Sequence, residues 1–100
     1  METIIEEHGK VAIITLKGRL ETTESADVQE KITTLYEKDL ERVVIECKDL
    51  EYIASSGLRI LFLLLKNMKP KGADVVIRNA NTLLKEVFDS TGFTPLFLFE

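Results

Sequence analysis

Asp49-Leu50-Glu51-Tyr52-Ile53-Ala54-Ser55-Ser56-Gly57-Leu58-Arg59-Ile60-Leu61 is the stretch on which the fold turns. Before it stands an apolar run, Arg42-Val43-Val44-Ile45-Glu46-Cys47, which reads as a buried strand. After it, Leu58 to Met68 reads as a helix. On a helical wheel Leu58, Ile60, Leu61, Leu64, Leu65 and Met68 gather on one broad side, the core side. Two adjacent hydroxyls, Ser55 and Ser56, therefore sit at a helix start, just past the carboxyl end of a strand. In open α/β sheets that edge is where ligands and partners bind. A helix start also offers free backbone N–H groups and the positive end of a dipole. Either serine suits an N-cap, and either could carry a phosphate at little electrostatic cost.

Working outward, Pro70-Lys71-Gly72 stops the helix and Ala73 to Arg78 reads as the next strand. Strand, helix and strand with short joins make a βαβ unit, so the two strands are expected to be parallel. Asn79 or Asn81 can cap a third helix running to about Ser90, and Phe93 to Phe99 is a turn followed by a last strand. On the N-terminal side, Thr3 to Glu7 and Lys10 to Lys17 read as a hairpin around His8-Gly9. Gly18 breaks the second strand. Thr22, Thr23 or Ser25 can cap a helix whose apolar face is Val28, Ile32, Leu35 and Tyr36. The predicted order is β-β-α-β-α-β-α-β: an α/β fold with a mixed sheet and helices mainly on one face, one domain over 1–100.

Composition narrows the function classes. A chain of 100 residues with 45% hydrophobic and 30% charged residues can bury a core without staples. One cysteine excludes an internal disulfide, and its place in the apolar strand makes Cys47 a small hydrophobe rather than a nucleophile. A net charge of −4 with no basic face argues against nucleic acid as partner. Lys66, Lys69 and Lys71 read as a solvated helix end. The acidic N-terminus lacks the features of a signal peptide, and the longest apolar run, Ile60 to Leu65, is too short to enter a bilayer as a span. A cytoplasmic protein, monomeric when free, is the expectation. One histidine and one cysteine make no metal cluster, and there is no nucleophile elbow or Gly-rich phosphate loop. The chain reads as a non-enzyme without cofactor or metal.

Ala54-Ser55-Ser56-Gly57-Leu58, in this order of elements, resembles the STAS domain of bacterial anti-sigma factor antagonists. The family pattern is an acidic residue, Ser, Ser or Thr, Gly, Leu and then an apolar helix, and the likeness runs through almost the whole chain. The resemblance implies a regulatory interaction module. Its unphosphorylated form would bind an anti-sigma factor that is itself a serine kinase, releasing a sigma factor. Phosphorylation would block that binding and a serine phosphatase would restore it. The family's acceptor, the first hydroxyl after the acidic position, maps to Ser55, with Ser56 second. Ala54 departs from the pattern: a methyl replaces the usual Asp and one negative charge beside the acceptor is lost. Glu21, in Gly18-Arg19-Leu20-Glu21, stands where the family often has an acid near the phosphorylation loop; it reads equally as a lone surface glutamate. Gly57 implies either close approach of another backbone or access for a kinase.

The partner surface is expected to join Glu21 and Thr22 to Ala54, Ser55, Ser56 and Gly57, and to continue along the exposed helix face through Arg59, Phe62, Leu63 and Lys66. An apolar Leu63 among polar neighbours is the mark of a binding surface there. The alternative is a STAS docking subunit of a membrane transporter ATPase with no covalent switch, or a small-ligand sensor module.

Overall fold

The computed structural model describes residues 1–100. Six strands form one mixed sheet: β1 (Glu2–His8), β2 (Val11–Leu20), β3 (Arg42–Glu46), β4 (Leu50–Ile53), β5 (Asp74–Arg78) and β6 (Leu98–Phe99). Three helices, α1 (Thr22–Thr33), α2 (Ser55–Met68) and α3 (Thr82–Ser90), connect them, with short 3-10 turns at Lys69–Lys71 and Thr94–Leu96. The sheet order is β1-β2-β3-β5-β6, with β4 joined to the far end of β2. Only β1 and β2 are antiparallel; β2 with β3, β3 with β5 and β5 with β6 are parallel, as βαβ connections require.

Alternation explains the core. Ala12, Ile14 and Leu16 of β2 are fully buried, and in register with them Val43 and Ile45 of β3 and Val75 and Ile77 of β5 point the same way. Against this face pack Val28 and Ile32 of α1, Leu61, Leu64 and Met68 of α2, and Leu84 and Phe88 of α3. The helices thus lie mainly on one face. Val44 and Val76 point to the other face and are buried there too, with the ion pairs Arg42–Glu100 and Arg78–Glu46 in the flanking rows. Burial alone would raise the Glu46 pKa. Hydrogen bonds from Arg78 at 2.8 Å, Asn79 at 3.0 Å and the Lys48 N–H at 3.1 Å outweigh it and hold the carboxyl below its usual range. Cys47 is enclosed, its thiol pushed up to about 12 by burial and by the Glu46 charge.

Three details differ from the sequence reading. First, the expected order lacks β4, a strand of four residues that pairs with β2 alone. Second, Gly18 does not end β2. β2 parts from β3 after Thr15 and pairs with β4 from Gly18 on; Gly18, at a φ of +100°, stands at a register shift, a bulge, between itself and Arg19. Third, α1 stops at Thr33, before Leu35 and Tyr36. There the Thr33 and Thr34 hydroxyls donate to the carbonyls of Glu30 and Lys31 at 2.8 and 2.7 Å, closing the helix.

Tyr36, in the turn after α1, keeps its hydroxyl buried without a hydrogen-bond partner, and burial raises its pKa. A buried unsatisfied hydroxyl costs stability, so Tyr36→Phe is expected to raise unfolding free energy by about 1 kcal/mol. Urea denaturation of both proteins measures this; an unchanged midpoint would show that water reaches the hydroxyl.

Candidate functional site

The site is built at the far end of β2. From Gly18 on, β2 and β4 run side by side and end together, with Leu20 opposite Ile53. The Ala54 N–H donates to the Leu20 carbonyl at 2.8 Å, so the two chains leave the sheet tied to each other. Each then turns into a helix: α1 begins at Thr22 and α2 at Ser55. Two helix N-termini therefore open side by side at the carboxyl edge of the sheet, and both present positive dipole ends. Their N-cap residues, Glu21 and Ala54, make no side-chain cap bond. The first backbone bond of α2 runs from the Leu58 N–H to the Ala54 carbonyl at 3.0 Å, which leaves the N–H groups of Ser56 and Gly57 unpaired.

The two serines have different surroundings. Ser56 is half-buried and tied to α1. The Ser25 hydroxyl donates to the Glu21 carbonyl at 3.0 Å, so its oxygen is left to accept the Ser56 hydroxyl, 2.8 Å away. Thr22 Oγ1 lies 3.5 Å from the same Ser56 oxygen. The hydroxyl bonds at this junction engage Thr22, Ser25 and Ser56; Ser55 takes no part in them and is exposed. Ser55 is the first helical residue, not the N-cap, which corrects the capping role considered for it.

The other expected contact residues divide. Glu21 and Thr22 are exposed beside the serines, with Glu21 accepting from Arg19 Nε at 3.1 Å. Arg59 is exposed one turn beyond Ser55, on the same helical stripe. Gly57 is buried and faces inward, so it is not a surface contact: a Cβ there would stand 2.8 Å from Ile53 Cγ1 and 2.8 Å from Leu20 Cγ. Phe62, Leu63 and Lys66 lie about 10 to 17 Å along α2 from Ser55 by helical rise. Leu63 is half-buried and its carbonyl accepts from Asn67. Phe62 stacks on Phe93 at 5.7 Å, and Lys66 Nζ lies 5.6 Å over the Phe62 ring. Leu65, read as core, is only half-buried and lines a surface cleft with them.

Sequence reasoning missed two parts of the site. Ser25 reads as a cap, yet it is buried and braces Ser56 across 31 residues. Tyr52 carries the Arg19 guanidinium over its ring at 4.6 Å, next to Glu21, and the brevity of β4 hid it. No cluster of His, Cys, Asp and Glu could hold a metal, and no helix is long and apolar enough to cross a membrane.

Comparison with known proteins places the fold and the family of the chain. BtrV of Bordetella bronchiseptica, named as a candidate anti-sigma factor antagonist, is 25% identical over 97 residues, covering 97% of this chain and 84% of BtrV. The fold is shared with the anti-sigma factor antagonist SpoIIAA in its unphosphorylated form, at a TM-score of 0.85 and 16% identity over 99% of this chain and 88% of that one. The phosphorylated form of SpoIIAA, a Bacillus cell fate determinant, gives a TM-score of 0.78 and 17% identity over 99% and 91%. A sulfate transporter family protein of Wolinella succinogenes shares it too, at 0.77 and 14% identity over 92% and 78%. The sequence model of the STAS domain matches residues 2–100, and the chain belongs to the STAS domain family.

Proposed function

We propose that the chain is an anti-sigma factor antagonist switched by phosphate on Ser55. In the unphosphorylated state the surface at the paired starts of α1 and α2 docks on an anti-sigma factor that is itself a serine kinase, and a sigma factor is released. Phosphorylation of the Ser55 oxygen ends docking, and a serine phosphatase restores it. The observation that carries this reading is the division between the serines: Ser55 is exposed and unengaged, while Ser56 is held inward by Ser25. A phosphate adds about −1.5 to −2 charge. Here it would meet two positive helix ends, free N–H groups and Arg59 four residues on, so the fold tolerates it. A docking partner would instead meet a new, strongly hydrated dianion. Ala54 leaves the acceptor without the adjoining carboxylate of the family pattern, and the nearby Glu21 carboxylate is engaged by Arg19, so the phosphate meets less like-charge repulsion.

The test is phosphate transfer from ATP by the kinases of the host, mapped by mass spectrometry, with titration calorimetry against the kinase that acts. Ser55→Ala is expected to take no phosphate and to bind normally. Its stability should stay within about 0.5 kcal/mol of the parent, because no cap bond is lost. Ser55→Asp is expected to keep the fold and to bind at least about tenfold more weakly, since it sets a charge in the docking surface. Loss of phosphate uptake in Ser56→Ala but not Ser55→Ala would overturn the assignment of the acceptor. If neither serine takes phosphate and both Asp variants bind every partner normally, the docking-subunit reading replaces this one.

A further inference from the structure

The exposed stripe of α2 leads away from Ser55 to a cleft at the helix's other end. One part, of ≈ 490 Å³, is lined by Phe62, Leu65, Lys66, Lys69, Pro70 and Leu96. A second part, of ≈ 280 Å³, shares Leu65, Lys69 and Leu96 and continues beside β6 to Leu98 and Asp74. Leu96 and Leu98 are 43% and 51% exposed, two of only four large hydrophobic side chains so exposed in the chain. In this apolar wall stand Lys66 and Lys69, neither of them in an ion pair; the paired cations of the chain are His8, Lys10, Arg19, Lys31, Lys38, Arg42 and Arg78. In a chain of net charge −4, this is a local cationic rim around an apolar groove.

We propose that this groove is a second docking site, for an acidic amphipathic segment of a partner protein. Apolar side chains of the segment seat on Leu65, Leu96 and the Phe62 ring, and its carboxylates pair with Lys66 and Lys69. Charge complementarity selects the occupant: against Lys66 and Lys69 the groove has one acid, Asp74 at its far part, so a basic segment would be repelled at the Phe62 end and a neutral one would leave two ammonium groups unanswered. The groove is open and elongated, the shape of a peptide site rather than a closed ligand cavity. The two lysines lie about 17 and 20 Å from Ser55 along α2, about twice the screening length at physiological salt. Their pairing with a partner's carboxylates is therefore screened from charge at Ser55, and under the proposed function a partner held here stays bound in either state of the switch.

A fluorescein-labelled synthetic 14-residue helix, with leucine at positions i, i+3, i+4 and i+7 and glutamate elsewhere, serves as probe. A version with lysine for glutamate is its control. The glutamate probe is expected to bind and to shift the amide resonances of Phe62, Leu65, Lys66, Lys69 and Leu96 while leaving those of Ser55 and Ser56 in place. In Lys66→Glu/Lys69→Glu, both exposed positions, affinity for the glutamate probe should fall about tenfold while the melting temperature holds. Leu96→Ala should weaken it too, and Ser55→Asp should not change it. Equal binding of the two probes, resonance shifts elsewhere, or a groove that takes dodecanoate but not the peptide would overturn the proposal. Weaker probe binding by Ser55→Asp would overturn the independence of the two sites, whatever the role of Ser55 proves to be.

Discussion

Leu61→Asp is expected to unfold the domain, whereas Leu63→Asp leaves it folded. Leu61 is fully buried in the core between α2 and the sheet. Truncating such a leucine costs about 2–5 kcal/mol through lost burial and the cavity left behind. Aspartate adds the cost of a charge or an unpaired carboxyl in apolar surroundings. Domains of this size have about 5–15 kcal/mol of stability in total, so little or none remains. Leu63, two residues on, is half-buried, and the same change there should cost about 1 kcal/mol. Circular dichroism melts of both variants measure the difference. Equal losses would show that the helix is turned differently about its axis. Leu63→Asp should also weaken binding of the anti-sigma factor, if the partner surface extends that far along α2.

Gly57→Ala is expected to lower stability by about 1–3 kcal/mol through overpacking. In an ordinary helix the same change would gain up to about 1 kcal/mol, because alanine is the better helix former. Here the new methyl would stand 2.8 Å from Leu20 Cγ and 2.9 Å from Leu20 Cδ2, with Ile53 Cγ1 on its other side. Leu20 and Ile53 are themselves buried, so one of them must shift within the packed core. For a domain of this size each kilocalorie corresponds to about 4–8 °C of melting temperature, so calorimetry resolves the sign. Gly57→Val should cost more. A rise in melting temperature for Gly57→Ala would mean that the glycine serves access to the serines and not close packing.

The strands and helices that alternation and periodicity reveal were legible: β2, β3 and β5 each carry apolar residues at the positions their register buries, and Asn81 accepts from the Leu84 N–H as a helix cap should. β4 was not, because four residues that include Glu51 make no pattern, and their partner is the far end of β2, past the point where it parts from β3. The end of α1 was misread because Leu35 keeps the helical period and is buried, although the chain has already left the helix. At the candidate site, the run from Ala54 to Leu58 pointed to a helix start with two hydroxyls, and the family resemblance ranked Ser55 above Ser56. Their different surroundings were not legible, since Ser56 is held by Ser25, distant in sequence. The groove was hidden for the same reason: Phe62 meets Phe93 and Leu65 meets Leu96 only after the last helix has folded back.

The pairing of Leu20 with Ile53 fixes where the starts of α1 and α2 lie relative to each other. The serine at the head of α2 is thus presented by two segments that are remote in sequence and joined by main-chain bonding. Under the function proposed above, a kinase would meet a surface with relief, not a string of letters. A synthetic peptide cut from residues 49–61 would carry the same serine without its platform, and under the reading proposed for Ser55 it would be a poor stand-in for the intact domain as a kinase substrate.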